Sequence, residues 1–103
     1  MSPIRHLADG PQGNSVSKAT LLLAADGLCR RFPDRVCYFP SFEILLDELR
    51  DYRFYAEDLV HPSAQAASYI ADRFIDAAVP EEENLRLAEA RKTALRAAHR
   101  DLR

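Results

Sequence analysis

The spacing of apolar residues predicts two helices in the first half of the chain. The first should run from about Ser15 or Ser17 to Phe32, because apolar residues recur every three or four positions and Pro33 then stops the pattern. A second helix should begin at Ser41, a residue type that caps helices. Its apolar residues form one stripe, at Phe42, Leu45, Leu46, Leu49 and Tyr52.

Two further helices are predicted in the second half. One should start at Ser63 and end near Val79, and its apolar stripe consists of Ala66, Ala67, Ile70, Phe74 and Ala77. The last segment, residues 81–103, begins with three glutamates and ends with arginines, the charge order that a helix dipole favours. Its stripe is thin, so we expect this helix to be exposed or covered by a partner; the stripe residues are Leu85, Ala88, Leu95, Ala98 and Leu102.

Short apolar runs between prolines predict one strand and a strand fragment. Arg35–Phe39 (RVCYF) is almost continuously apolar and is bounded by Pro33 and Pro40, which suits a strand covered on both faces. Ile4–Leu7 could be the tail of another strand. This order of elements predicts an α/β layout in which helices cover a parallel sheet. One strand and a fragment cannot complete such a sheet, so either part of it is missing or another chain supplies it.

Composition limits the classes of function that need to be considered. The 103 residues are enough for one small domain, and 48% of them are apolar. Charged residues make up 29% and the net charge is −2, which gives nucleic acid or acidic lipid no excess charge to bind. The longest apolar run, Ala19 to Ala25, is too short to span a membrane, and a cytoplasmic protein is expected. Cys29 and Cys37 are predicted to be buried free thiols.

The stretch Asp58-Leu59-Val60-His61 places a carboxylate three residues before an imidazole. At this spacing the carboxylate can accept the Nδ1–H of the ring and leave Nε2 free on the other side, which is the arrangement of a general base. Such a base can take a proton from a serine hydroxyl. Spacing alone is weak support, because a carboxylate and a histidine on a surface usually form only a local hydrogen bond.

The sequence around this pair resembles a known family. The runs that carry the resemblance occur in order: Ser2–His6 (SPIRH), Asn14–Ala19 (NSVSKA), Cys37–Ile44 (CYFPSFEI), Asp47–Tyr55 (DELRDYRFY) and Glu57–Ser63 (EDLVHPS). Over about residues 2–75 they resemble the carboxyl-terminal region of the GSCFA-domain family. That family is regarded as a branch of the SGNH, or GDSL-like, hydrolases, which are three-layer α/β/α enzymes of ester chemistry with a flavodoxin-like fold. The resemblance implies that Asp58 is the orienting acid and His61 the general base.

The chain departs from this family at the nucleophile. The Gly-Ser-Cys-Phe-Ala motif, which supplies the serine near the amino terminus of full-length members, does not occur in the 103 residues. No serine present lies in the Gly-x-Ser-x-Gly motif that positions a nucleophile in other hydrolases. The resemblance therefore implies a truncated, carboxyl-terminal portion of a helix-rich α/β/α hydrolase with one or two strands. Residues 1–80 would belong to the hydrolase domain and residues 81–103 would form a charged helix, and the chain should be inactive alone.

Other interpretations of the same residues remain open. His6 follows the strand fragment and could approach the site. A metal site would have to recruit Glu57, Asp58, His61 and His6, which lack a ligand spacing, so we expect neither a metal nor another cofactor. A small ester would be a substrate only in the complete parent fold. The rival hypothesis is a non-catalytic helical module whose apolar stripes pack against a partner chain or a second copy in a homo-oligomer.

Overall fold

The structure is a computed structural model that describes residues 1–101, apart from the side chains of Asn84 and Asp101. The described chain is helical, and it forms two compact units, Met1–Ile70 and a second that begins at Ala71. The longer helices are α1 (Gly10–Arg31), α3 (Ala64–Ala78) and α4 (Glu81–Asp101). A 3₁₀ turn, Leu7–Asp9, precedes α1. Between α1 and α3 lie α2 (Ser41–Glu43), which continues as a π-helical segment (Ile44–Leu49), and a second 3₁₀ turn, Tyr52–Phe54.

The predicted α/β/α fold is wrong. No strand occurs among residues 1–101, and Arg35–Phe39 and Ile4–Leu7 contain none of the expected parallel pairing. The one bridge between extended segments of the described chain joins Tyr55 and Pro62. A strand needs a neighbouring strand that satisfies its N–H and C=O groups, and no strand pairs with Arg35–Phe39 in the described part of the chain. The apolar run instead follows α1 as turns and irregular chain.

Helix α1 begins five residues before the predicted start at Ser15. Gly10 has a φ of 71°, which turns the chain out of the preceding 3₁₀ turn, and Pro11 lies in the first helical turn. Proline fits there because its missing N–H would have no partner in the helix. Gly13 is also required, because a Cβ at this position would lie 2.4 Å from the Cβ of Asp9. Gly10, Pro11 and Gly13 therefore belong to the start of this helix.

The other predicted helices differ in how well they match. Helix α3 starts beside Ser63, whose Oγ accepts the N–H of Ala66 at 3.1 Å, so the predicted cap is confirmed. Helix α4 begins at Glu81 as predicted, and the stripe residue Leu102 lies outside the described residues. The second helix is shorter than predicted and mostly π-helical, ending at Arg50 with a φ of 56°. Ser41 does not cap it, because its Oγ bonds to the carbonyl of Met1.

A small apolar cluster holds the first unit together. Leu45, Phe54 and Ala66 are buried, and Leu49, Tyr55 and Ile70 pack against them. The cluster connects the π-helical segment, the second 3₁₀ turn and α3. Because Phe54 and Tyr55 lie directly before the Asp58 loop, this cluster also fixes where that loop starts.

The second unit is held by polar contacts. An ion pair between Asp72 and Arg91 joins the end of α3 to α4. Leu85 and Leu95 on α4 are 65% and 68% exposed, as the thin stripe predicted. Among the described residues, no helix combines the length and apolar character needed to cross a membrane. The division into residues 1–80 and 81–103 stays a prediction.

Both cysteines are free, as predicted. Cys29 is half-buried on α1, but Cys37 is exposed, so its predicted burial is wrong. Cys37 lies in the segment that was expected to be a doubly covered strand, and without a sheet nothing covers it.

Candidate functional site

Asp58 and His61, hereafter the Asp58–His61 pair, lie in a loop whose two ends are held side by side. Tyr55 and Pro62 form the antiparallel bridge at its base. One step further in, the N–H of Ala56 donates to the carbonyl of His61 at 2.8 Å. The loop is therefore closed by backbone hydrogen bonds that do not depend on either side chain of the pair.

Further hydrogen bonds attach this loop to the rest of the first unit. The N–H of Ser63 donates to the carbonyl of Phe54 at 2.7 Å, next to the buried cluster. From the amino-terminal segment, the N–H of Arg5 donates to the carbonyl of Val60 at 3.1 Å. Leu59, at the tip, has a φ of 57°, a left-handed conformation that costs energy for a residue with a side chain. The loop is anchored on both sides of its strained tip.

The carboxylate of Asp58 organises the interior of the loop. Its Oδ1 accepts the backbone N–H groups of Val60 at 2.9 Å and of His61 at 3.0 Å. Its Oδ2 lies 2.6 Å from Nδ1 of the His61 ring. These three contacts, with the backbone bond to His61 contributing most, lower the pKa of Asp58 to about 2. Asp58 is therefore a carboxylate at neutral pH and accepts the Nδ1 proton.

The expected contact between Asp58 and His61 is confirmed. The carboxylate fixes the tautomer of the ring, and Nε2 makes no hydrogen bond to any described residue. The His61 side chain is 57% exposed, so Nε2 is open to solvent and to a substrate. This geometry suits a base with an oriented ring. A catalytic role for the pair and a cleft in front of Nε2 stay predictions.

His6 has a different partner. Its Nδ1 lies 3.1 Å from a carboxylate oxygen of Asp9, in the 3₁₀ turn that precedes α1. No hydrogen bond joins the His6 side chain to Asp58 or His61 in the described part of the chain. Within residues 1–101, no group of three His, Cys, Asp or Glu side chains is placed to hold a metal ion.

Comparison with known proteins identifies the family. The model of the GSCFA family matches residues 1–74. The chain belongs to the GSCFA family. No curated protein and no solved structure matches it. The GSCFA match covers the whole Asp58 loop and ends within α3, so α4 lies outside it.

The serines of this GSCFA chain have other partners where the structure gives them one. The Oγ atoms of Ser41 and Ser63 bond to backbone groups, and the Oγ of Ser2 accepts the N–H of Ile4. Among the described residues, no serine hydroxyl hydrogen-bonds to the His61 ring. The supply of a nucleophile to the Asp58–His61 pair stays a prediction.

Two cationic residues of the first unit, Lys18 and Arg5, have surroundings that the sequence did not predict. Lys18 of α1 is only 8% exposed, although lysine is a residue type usually found at the surface. Its position gave a signal, because Lys18, Leu22, Ala25 and Cys29 recur at helical spacing and all lie on the less exposed side of α1. Arg5 is half-buried and its guanidinium lies 4.4 Å from the centre of the Tyr55 ring. Nothing in the local sequence indicated this contact between Arg5 and Tyr55.

The lowered pKa of Asp58 predicts how stability changes in acid. A carboxylate whose pKa falls from 3.8 unfolded to about 2 folded stabilises the fold fully above pH 3.8, and this contribution disappears as the pH falls to 2. The free energy of unfolding should therefore be lower for Asp58→Asn than for the wild type at pH 6. The difference should close between pH 3.8 and 2, as measured by urea unfolding at each pH.

A direct titration provides the control for this prediction. The NMR signal of the Asp58 carboxyl carbon should move with a midpoint near pH 2. In His61→Ala the midpoint should stay below 3.8, because the backbone N–H groups of Val60 and residue 61 still donate to Oδ1. A midpoint at the ordinary value in the wild type would contradict the hydrogen-bonded loop described above.

Proposed function

We propose that this chain is the acid/base portion of a GSCFA-type, SGNH-like serine hydrolase that acts on esters. His61 is the general base and Asp58 is the residue that orients it. The observation that carries the proposal is the 2.6 Å contact between Nδ1 and Oδ2, with Nε2 open, inside the segment that matches the GSCFA family. The proposal depends on the geometry of the Asp58 loop and not on the helical fold of residues 1–101.

The chemical steps follow from the two ring nitrogens. Nε2 of His61 takes the proton of a serine hydroxyl as that oxygen attacks the ester carbonyl. The ring is then an imidazolium, which the Asp58 carboxylate stabilises through Nδ1. His61 returns the proton to the departing alcohol oxygen, and an acyl-enzyme forms. Water, deprotonated by the same nitrogen, releases the acid and restores the serine.

The attacking serine, in this proposal, comes from outside residues 1–103. A Gly-Ser-Cys-Phe-Ala segment of a longer GSCFA protein, or of a second chain, would supply it. The oxyanion donors would come from there as well, because no recognisable block for them occurs in the sequence. A base without these groups catalyses little, so the 103-residue chain is inactive by itself.

Ester turnover tests this assignment. A longer GSCFA protein that carries both motifs should hydrolyse a short-chain nitrophenyl ester, and the 103-residue chain should be no faster than its own His61→Ala variant. Histidine-dependent turnover by the 103-residue chain would show that it contains a nucleophile. If the longer protein kept its rate after loss of the matching histidine, His61 would not be the base.

The alternative is the non-catalytic interaction module. It is supported by α1, on which Val16, Leu21, Leu23 and Leu28 are between 50% and 74% exposed. At 3.6 residues per turn, Val16 and Leu23 form one stripe of α1, and Leu21 and Leu28 form another that is rotated by roughly 120° to 160°. A partner chain or a second copy packed over either stripe would remove its side chains from water. Residues 1–101 contain no strand, so there is no sheet for a partner to complete. The exposed apolar side chains of α1 support a partner instead.

A further inference from the structure

A cavity lies between the amino-terminal segment, α1 and the π-helical segment of the first unit. We call it the Lys18 cavity; its volume is about 520 Å³, within the range of small-molecule sites. Apolar side chains form most of its wall, and Lys18 and Arg5 contribute positive charge. The apolar wall includes Leu22, Phe42, Leu45 and Tyr55.

Lys18 is a buried cation without a counter-charge. Its Nζ donates to the carbonyl of Ser2 at 2.6 Å and lies 5.5 Å from the centre of the Phe42 ring. No carboxylate of the described residues forms an ion pair with it, and two of its three ammonium hydrogens have no hydrogen-bond partner there. Burial lowers the pKa of Lys18. A buried charge of this kind is unfavourable unless something of opposite sign joins it.

A second cation gives the cavity the same sign. The Arg5 guanidinium lies over the Tyr55 ring, and it too makes no ion pair within the described residues. Lys18 and Arg5 come from segments 13 residues apart in the chain, and both line the same cavity. Two cations without a carboxylate partner among the described residues therefore line one mostly apolar space.

The chemistry that satisfies this site is an anionic group on an apolar body. We propose that the Lys18 cavity binds a carboxylate that carries an apolar chain. The carboxylate accepts from the Nζ of Lys18 and from the guanidinium of Arg5, and the chain lies against Leu22 and Phe42. The Arg5 guanidinium lies over the Tyr55 ring, which leaves its in-plane N–H groups free to donate to the carboxylate.

The cavity lies beside the Asp58–His61 pair. Arg5 lines the cavity and donates its N–H to Val60, and Tyr55 lines it and pairs with Pro62. A carboxylic acid is also the product that ester hydrolysis releases. The ligand could thus be the acid or acyl part of the substrate, and this identification rests on the proposed function. The proposed binding of a carboxylate rests on the cavity alone.

Binding can be measured on the 103-residue chain without turnover, so this proposal and the proposed function can fail separately. In ¹H–¹⁵N NMR titrations, octanoate should shift the amides of Asn14, Leu22 and Tyr55, which line the cavity. Octanol, which lacks the charge, and acetate, which lacks the chain, should each bind at least about 10-fold more weakly. Equal affinity for octanol or acetate, or tighter binding of octyl phosphate, would overturn the assignment.

The two lysines of the chain provide a matched pair of variants. Lys18→Met removes the cavity charge and should weaken octanoate binding by about 10-fold or more. Lys92→Met makes the same change on exposed α4 and should leave the affinity unchanged. Arg5→Gln, which keeps the backbone bond to Val60, should also weaken octanoate and covers the case in which Lys18→Met does not fold. Equal affinities in all three variants would refute the site.

Discussion

Replacing Leu45 by alanine should destabilise the first unit more than any other single truncation of an aliphatic side chain. Leu45 is 2% exposed and lies in the centre of the cluster with Phe54 and Ala66. Buried Leu→Ala changes cost about 3 kcal/mol, since they lose both burial and packing. Domains of this size are stable by only about 5 to 15 kcal/mol. Urea unfolding followed by circular dichroism should show a much lower midpoint, or no cooperative transition.

Leu23→Ala provides the control and distinguishes between the two functional hypotheses. Leu23 lies on α1 and is 74% exposed, so the same chemical change should alter the free energy of unfolding by less than about 0.5 kcal/mol. A cost as large as that of Leu45→Ala would show that the outer face of α1 is buried in the folded protein. That result would favour the interaction module, in which a partner or a second copy covers Leu23.

The helices that depend on local signals could be predicted from the sequence. Ser63 caps α3 and Pro80 follows it, and both signals act within a few residues, so the predicted limits nearly match the observed Ala64–Ala78. The charge order of residues 81–103 likewise predicted α4. The start of α1 was not predicted, because Ser15 and Ser17 both fit a helix cap, whereas the helix begins at Gly10 with Pro11 in its first turn, where proline is well suited.

The predicted strands are absent from residues 1–101 for a physical reason. An apolar run such as Arg35–Phe39 is compatible with a buried strand, but a strand exists only if another strand pairs with it, and pairing is not encoded in one segment. The three-layer fold came from the family resemblance and from this run together. The family match is confirmed, whereas no strand occurs in residues 1–101.

The same distinction separates the parts of the candidate site. The contact between Asp58 and His61 spans three residues in one turn, so the spacing was enough to predict it. The attachment of that loop to Arg5 and the burial of Lys18 join segments far apart in sequence, and no local pattern reveals such contacts. The Lys18 cavity next to the Asp58 loop could therefore not be predicted from the sequence. The helical register of Lys18 indicated only that this side chain is buried.

A substitution at the orienting acid should separate a working pair from a local hydrogen bond. In a longer GSCFA protein with both motifs, Asn at the position of Asp58 should lower kcat for ester hydrolysis by on the order of 10⁴-fold. The asparagine amide can donate to Nδ1, so the proton moves to Nε2 and the ring can no longer act as the base. Loss of the histidine itself should reduce kcat further, by about 10⁶-fold.

The combined variant decides whether the two residues act as one unit. If Asp58 works only through His61, replacing both should be no slower than replacing the histidine alone, within about 10-fold. Effects that multiply would mean that the carboxylate acts independently, and the orienting role would be lost. A Gln at the position of Glu57 is the matched control, since it removes a neighbouring exposed charge and should leave kcat unchanged. Because Asp58 also accepts two backbone N–H groups inside the loop, its Asn variant should unfold at a lower denaturant concentration, so the rates should be compared under conditions in which circular dichroism shows each variant to be folded.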